Sequence, residues 1–176
     1  MTFLSSIRKK AENNRARIGL GIGNITEGLI DSIKDAGAYA RVVPVGTEEL
    51  IRSTGLEFIS SAEPSRTLVE MLLRGEIDGA VRGTLSATKT LSFLKQSTGK
   101  IKLCRIALLE TADGIPFFLA PVGIDEGSSV ADKIVLIKQG VKYIEKLGID
   151  VKVGILSGGR FEDKGRDETV DRTLKE

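Results

Sequence analysis

The chain alternates short apolar runs with longer segments in which apolar residues recur at helical spacing. The apolar runs predict seven strands, at residues 17–22, 40–45, 57–60, 78–82, 102–109, 115–121 and 151–157. Several runs are apolar on both faces of the predicted strand, which is typical of strands that helices cover on two sides. Alternating strands and helices of this kind predict right-handed crossovers and a mostly parallel sheet.

Helical spacing marks four segments, at residues 25–37, 64–75, 130–147 and 167–176. In the first segment, Gly37 can end the helix in a left-handed conformation. Pro64 can begin the second helix, because proline suits the first helical position. The third segment has one apolar stripe with lysines beside it. Either Asp167 or Thr169 can open the fourth helix.

The fifth and sixth predicted strands are separated by only five residues, which include Asp113-Gly114. Five residues are too few for a helical crossover, so these strands are expected to form an antiparallel hairpin. The polar stretch 96–100 precedes them and is the best candidate for a lobe boundary. The predicted fold class is α/β, a three-layer and mostly parallel sheet with one hairpin. We expect two lobes around a cleft, an N-terminal α/β lobe over 1–97 and a second lobe with a mixed sheet over 98–176.

Composition argues against several classes of function. The chain has 176 residues, a formal net charge of +2 and no tryptophan, which argues against a nucleic-acid partner. Histidine is absent, so the usual general base, the usual zinc ligand and Ser–His or Cys–His catalysis are missing, and no metal site is expected. The single cysteine, Cys104, lies in an apolar run and is expected to be a buried core thiol.

The sequence shows neither a targeting segment nor a membrane span. The N-terminal stretch turns polar after Leu4, unlike a signal peptide. No stretch approaches the ~20 apolar residues that cross a membrane. We therefore expect a soluble, cytoplasmic protein with no membrane partner.

The first candidate site follows the first predicted strand, at Gly19-Leu20-Gly21-Ile22-Gly23-Asn24. The backbone at Gly21, Gly23 and Asn24 can approach a ligand closely, and the amides of the following helix attract an anion. The spacing is not the full G-x-G-x-x-G pattern, and the second strand ends without an acidic residue to bind a ribose. A plain tight turn and a cofactor loop both stay open.

The second candidate site follows the fourth predicted strand, which delivers Arg82 at its carboxyl end. Ser86, Thr88, Lys89 and Thr90 then gather around the start of the next helix. Hydroxyls, helix amides and two cations in one turn suit a tetrahedral oxyanion such as phosphate. The alternative is a helix N-cap with charges that face solvent.

The third candidate site follows the last predicted strand, at Ser157, Gly158 and Arg160. A charged stretch, 161–168, comes next and predicts either a substrate-facing loop or a solvated one. In open α/β sheets, ligands bind beyond the carboxyl ends of the strands, where all three segments are expected to lie.

Taken in order, these segments resemble the phosphate acetyltransferase and phosphate butyryltransferase superfamily, whose fold is similar to that of isocitrate and isopropylmalate dehydrogenases. The stretch 82–91 resembles the family's K/S-G-x-x-x-T-x-T-L pattern, with one extra residue before Thr88. The stretch 168–174 resembles its P-x-T-V-D-x-x-x-L helix. As a whole, the sequence looks most like the methanogen branch called methyltransferase subunit X (MtxX), also known as methanogen marker protein four.

The sequence departs from the superfamily pattern in two ways. The family's last third carries glycine- and asparagine-rich segments and the Ser and Asp proposed for acyl transfer, and nothing up to Glu176 matches them. The chain is therefore expected to be either a fragment of a longer protein or a shortened form, and an ending inside a charged helix favours the fragment. The extra residue before Thr88 can shift the anion pocket. The resemblance thus implies the fold and a cleft more firmly than the reaction.

The resemblance implies a transferase with a small phosphorylated or thioester ligand, with phosphate or coenzyme A as substrates and no required cofactor. In such an enzyme Arg82, Thr88, Thr90, Ser157 and Arg160 would bind anionic groups, a coenzyme A thiol would attack and a carboxylate would be the base. Positioning and charge stabilisation would drive the reaction.

The methanogen branch implies an alternative function, that of a non-catalytic accessory subunit of a corrinoid methyltransferase system. A nicotinamide-dependent oxidoreductase ranks last, because the ribose-binding acid is missing. Relatives of this fold are commonly dimers, so a homodimer stays open.

Overall fold

The computed structural model describes residues 3–52, 54–100, 103–123 and 126–175. Its contacts divide the chain into two compact units, unit 1 over 1–101 and unit 2 over 102–176. In the described ranges, none of the helices combines the length and apolar character needed to cross a membrane. The cleft between two lobes stays a prediction.

Unit 1 alternates helices and strands, as the hydrophobic pattern predicts. Its elements are α1 (Phe3–Asn14), β1 (Arg17–Ile22), α2 (Leu29–Ala36), β2 (Arg41–Gly46), α3 (Glu48–Arg52), β3 (Ile59–Ser60), α4 (Pro64–Leu73), β4 (Gly79–Val81) and α5 (Ala87–Thr98). Unit 2 contains β5 (Ala107–Glu110), β6 (Pro116–Leu119), α6 (Val130–Glu145), a short 3₁₀ turn (Phe161–Asp163) and α7 (Glu168–Lys175).

The sheet of unit 1 has the strand order β3-β2-β1-β4, and every pair of neighbours is parallel. This confirms the predicted α/β class with a mostly parallel sheet. From β1 the chain proceeds to β2 and β3 on one side, whereas β4 returns to the other side of β1. The strand order therefore reverses between β1 and β4, and such a switch point is where open α/β sheets form a crevice for ligands.

Helices cover the sheet of unit 1 on both faces. On the first face, α4 packs on the strands through a core of Val45, Leu68, Met71, Ile77 and Leu85. On the second face, Ile22 and Ile33 form the core together with partly buried side chains of β1, β2, α2 and the segment after α3. This arrangement explains why β1 and β2 are apolar on both sides.

Strand β1 presents glycines to the α4 face and larger side chains to the other. A Cβ atom at Gly19 would lie 2.5 Å from Cδ1 of Ile77 and 2.7 Å from Cδ1 of Leu68. Because side chains alternate along a strand, Gly19 and Gly21 share this face, and Leu20 and Ile22 share the opposite one. Gly19 thus lets Leu68 of α4 and Ile77 approach the sheet closely.

The ends of α2 differ from the prediction. The helix begins at Leu29 and not at Ile25, because the backbone N–H of Leu29 closes a turn onto the carbonyl of Thr26. Gly37 is right-handed, with φ −60°, and its N–H bonds back to the carbonyls of Ile33 and Lys34. The predicted left-handed cap at Gly37 is therefore wrong, since the last turn simply continues.

The start and end of α4 follow the prediction. Pro64 occupies the first turn of the helix. Gly75 is left-handed, with φ +71°, one residue after the capping Arg74. The conformational freedom of glycine at this position stops the helix before the short connection to β4.

In unit 2, β5 and β6 form the predicted antiparallel hairpin, with Ala107 opposite Leu119 and Glu110 opposite Pro116. At the turn, the backbone N–H of Thr111 bonds the carbonyl of Ile115 at 3.0 Å. A hydrogen bond from the Thr111 side chain, with a smaller backbone contribution, holds the pKa of exposed Asp113 below its ordinary value. The five-residue connection therefore closes a hairpin, as its length requires.

Two predictions for unit 2 are wrong. Cys104 is exposed and not a core thiol, because β5 begins only at Ala107 and the cysteine lies in the segment before it. Lys102, the predicted start of this strand, lies outside the described residues. The predicted strand at 151–157 has no ladder partner in the described part of the chain, and Ile155 and Leu156 are exposed. An apolar run forms a strand only where a neighbouring strand supplies its hydrogen bonds.

Gly140 lies inside α6, and a Cβ atom there would meet Cδ1 of Ile106 at an ordinary 3.6 Å. Gly140→Ala is therefore expected to stabilise unit 2 by about 0.5–1 kcal/mol, because alanine loses less backbone entropy in a helix. Gly148, just past the helix, also has open space but a φ of +77°. Gly148→Ala is expected to destabilise the same unit by about 1 kcal/mol. Urea unfolding with amide exchange across α6 measures both, and a loss of stability in Gly140→Ala would contradict the prediction.

Candidate functional site

The first two candidate segments meet at the switch point of unit 1. Strands β1 and β4 are direct parallel neighbours, with Ile18 opposite Gly79 and Leu20 opposite Val81. Their carboxyl ends therefore release the β1–α2 loop and the β4–α5 loop at the same edge of the sheet. The third segment lies in unit 2.

Thr84 joins the two loops through four hydrogen bonds. Its Oγ1 accepts from the backbone N–H of Gly23 at 2.9 Å and from that of Asn24 at 3.2 Å. The same hydroxyl donates to the carbonyl oxygen of Asn24 at 2.9 Å. The backbone N–H of Thr84 donates to the carbonyl of Gly21 at 3.1 Å. The loops after β1 and β4 are thus one hydrogen-bonded assembly.

Glycines are required where these loops touch. A Cβ atom at Gly23 would lie 2.7 Å from the carbonyl oxygen of Thr84. Gly83 is left-handed, with φ +57°, and a Cβ atom there would lie 2.2 Å from the carbonyl oxygen of Gly21. Packing between the two loops therefore accounts for Gly23 and Gly83.

Arg82 and Ser86 build the turn that leads into α5. The guanidinium Nη1 of Arg82 donates to the carbonyl oxygen of Leu85, and the backbone N–H of Leu85 donates to the carbonyl of Arg82 at 3.2 Å. Leu85 itself is buried in the α4-side core. Ser86 is the N-cap of α5 and accepts from the backbone N–H of Lys89 at 3.4 Å. The predicted cap is therefore present, with the arginine side chain folded over the same turn.

The remaining candidates, in the first turn of α5, differ in their exposure to solvent. Thr88 and Lys89 are exposed there, next to Ser86. Thr90 is buried, and its hydroxyl lies 3.1 Å from Oγ of Ser65 on α4 and 2.9 Å from the carbonyl oxygen of Ser86. Thr90 thus links α5 to α4, whereas Arg82, Ser86, Thr88 and Lys89 are exposed.

The third segment packs on α7. The backbone N–H of Gly158 donates to Oγ1 of Thr173 at 2.9 Å, and a Cβ atom at Gly159 would lie 2.5 Å from Cγ1 of Val170. The hydroxyl of Ser157 donates to the carbonyl of Gly159. The Ser157 hydroxyl and the Gly158 amide are therefore both engaged in hydrogen bonds within unit 2.

Arg160 forms an ion pair within its own loop. Its Nε lies 3.1 Å from Oδ2 of Asp163, and Nη1 of Arg166 lies 2.8 Å from Oδ1 of the same carboxylate. Oδ1 of Asp167 accepts from the backbone N–H of Thr169 at 2.8 Å, so Asp167 is the residue that opens α7. Asp163 thus pairs with two arginines, Arg160 and Arg166.

Sequence reasoning did not identify Thr84. A hydroxyl residue directly after a left-handed glycine at a strand end is a signal that can indicate such a bridge. The sequence could not predict that Thr84 bonds Gly23 and Asn24, because the local pattern does not show that β1 pairs with β4. Across the described ranges, no group of three His, Cys, Asp or Glu side chains is placed to hold a metal ion.

No family model matches the chain. A Methanosarcina mazei protein named "Putative methyltransferase mtx subunit X" is 46% identical over 176 residues, which cover 98% of this chain and 63% of the relative. The protein of the same name from Methanosarcina barkeri is 46% identical over 169 residues, or 94% of this chain and 62% of the relative. An uncharacterized methyltransferase of Methanocaldococcus jannaschii is 39% identical over 133 residues, which cover 73% of this chain and 54% of the relative.

The chain is thus similar to proteins named as subunit X of a putative methyltransferase, MtxX. The chain spans less than two thirds of the length of the MtxX relatives that it matches. The first two candidate segments and the third all lie within the stretch shared with the Methanosarcina mazei MtxX protein, since that match covers 98% of the chain. The wider resemblance to phosphate acetyltransferases stays a prediction.

Proposed function

We propose that this chain carries an anion-binding site at the switch point of unit 1 and that it serves a transferase of the MtxX family. The anion is a phosphate group, either free or as part of an acyl phosphate or coenzyme A. It lies at the first turn of α5, against Ser86, Thr88, Lys89 and Arg82.

One observation carries this proposal. The exposed first turn of α5, with its hydroxyls and cations, follows β4 at the point where the strand order reverses. The unbonded amides of a helix start attract negative charge, and a cation beside them adds a charge-assisted hydrogen bond. The 12-residue α5 is long enough for its amide dipoles to align toward that end.

Lys89→Ala is expected to weaken phosphate or coenzyme A binding by about 1.5–3 kcal/mol, or roughly 10- to 150-fold, the range for a hydrogen bond to a charged group. Arg82→Ala is expected to cause a loss of similar size, and it also removes the bond to the carbonyl of Leu85. Isothermal titration with inorganic phosphate, acetyl phosphate and coenzyme A measures both affinities.

The matched control for this test is Lys95→Ala, which removes the same charge from the last turn of the same helix. It is expected to leave affinity within about twofold, because helix-end electrostatics fade within one turn. Equal losses in Lys89→Ala and Lys95→Ala would show a general charge effect and would contradict the site. Binding that survives Lys89→Ala and Arg82→Ala would overturn it.

A second function rests on the names of the relatives, which describe a subunit of a methyltransferase. In this alternative the chain is an accessory subunit of a corrinoid methyltransferase system and has no turnover of its own. Affinity purification from a methanogen extract tests it, with the known methyltransferase subunits as the readout. Their absence from the purified material, combined with phosphate binding, would favour the transferase.

A further inference from the structure

The hydroxyl oxygen of Thr84 occupies the place that the β1–α2 loop would offer to an anion. Two successive backbone amides, at Gly23 and Asn24, point to one acceptor in the way that amides converge on a phosphate oxygen. That acceptor is an oxygen of the chain itself. The glycine-rich loop after β1 therefore uses its amides to hold Thr84.

Thr84 is also tied to the turn that starts α5. Two residues later, Ser86 caps the helix, and between them Leu85 is buried in the core beside Leu68 and Ile77. The position of Thr84 is thus fixed on one side by the β1–α2 loop and on the other by the core. The Thr84 side chain therefore connects the β1–α2 loop to the segment that leads into the first turn of α5.

We infer that Thr84 is a positioning residue, which locks the β1–α2 loop to the β4–α5 loop and so fixes the first turn of α5 for anion binding. The inference rests on the proposed function, and it gives the two glycine-containing loops different roles. The amides after β1 hold Thr84, and the first turn of α5 contacts the ligand. By sequence alone, both loops are candidates for the ligand.

The test uses Thr84→Val, which keeps the shape of the side chain and removes its hydroxyl, and Thr84→Ser, which keeps the hydroxyl. Backbone amide NMR of the full chain follows hydrogen exchange at Gly23, Asn24, Lys89 and Thr90, whose backbone N–H groups all donate hydrogen bonds. In Thr84→Val all four amides are expected to exchange about tenfold faster or more, the effect of losing about 1.4 kcal/mol of hydrogen bonding. Thr84→Ser is expected to exchange like the wild type.

A phosphate titration of the same samples tests the link to binding. In the wild type, the largest shifts are expected at the amides of Thr88 and Lys89, with little change at Gly23 and Asn24. Affinity is expected to fall about tenfold in Thr84→Val and to be restored in Thr84→Ser, a rescue that general destabilisation would not produce. Largest shifts at Gly23 and Asn24 would overturn the inference, as would unchanged affinity in Thr84→Val.

Failure of the proposed function gives a different result. If the wild type shows no phosphate shifts while exchange accelerates at all four amides in Thr84→Val, the anion site is wrong and the mechanical link stands. If exchange at Lys89 and Thr90 stays at the wild-type rate in Thr84→Val, the proposed coupling between the two loops is wrong, whatever the wild type binds.

Discussion

Gly21→Val is expected to destabilise unit 1 by at least about 3 kcal/mol, the upper range for forcing extra volume into a packed core. A Cβ atom at this buried position would lie 2.6 Å from the carbonyl oxygen of Arg82 and 2.2 Å from Cδ1 of Leu85. The leucine tip can rotate, but the carbonyl belongs to the β4–α5 turn and moves only with it. Urea unfolding followed by circular dichroism measures the loss.

The matched control is Gly154→Val. A Cβ atom at Gly154 would have no neighbouring atom within 4 Å, and the φ of this residue is not positive, so the same chemical change meets no obstacle. It is expected to shift stability by less than about 0.5 kcal/mol. A Gly21→Val protein as stable as the control would mean that the loops after β1 and β4 separate easily.

Leu68→Ala is expected to cost unit 1 about 2–5 kcal/mol, the range for deleting a buried leucine side chain. Leu68 is 1% exposed and lies between α4 and the sheet, beside Val45, Met71 and Ile77. The cavity cannot collapse easily, because the part of β1 beside Leu68 is Gly19, which has no side chain to fill the space. Thermal and urea unfolding both report the change.

Leu73→Ala provides the comparison for this substitution, on the same helix. Leu73 is 48% exposed at the end of α4, so it is expected to cost less than about 1 kcal/mol. The difference between the two variants isolates burial from helix propensity, since leucine is replaced by alanine in each. Equal costs would show that α4 is not held by its inner face.

Much of the secondary structure could be predicted from local pattern. β1 has the bounds that its apolar run indicates, and Pro64 marks the start of α4. The hairpin followed from chain length alone, because five residues cannot carry a crossover. These features depend on residues close together in sequence, which is why the pattern contains them.

Features that depend on distant residues were missed. The run at 151–157 is apolar enough for a strand, but it becomes one only beside a partner strand, and Leu156 is 86% exposed. Cys104 has apolar neighbours in sequence, yet its exposure depends on where β5 begins. The order β3-β2-β1-β4 is also a long-range property, and it alone brings Thr84 to the loop after β1.

The candidate site was predictable in part. The cap at Ser86 was evident in the sequence, as were the cations around it. Helix geometry could have separated Thr88 from Thr90, since residues two apart on a helix lie about 200° apart around its axis. Thr90 accordingly faces Ser65 on α4 while Thr88 is exposed. The ion pair of Arg160 with Asp163 was not predictable, because Asp163 is one of several charged residues in that loop.

The two glycines of β1 that pack closely, Gly19 and Gly21, place different constraints on the sequences of relatives. The atoms that would obstruct a Cβ atom at Gly19 are the side-chain tips of Leu68 and Ile77. An MtxX relative with alanine at position 19 is therefore expected to carry a smaller residue at position 68 or 77. These three positions should therefore covary. At Gly21 the obstructing atom is a backbone carbonyl oxygen, which no exchange of side chains removes. Glycine at that position should be invariant across the family, with no compensating partner.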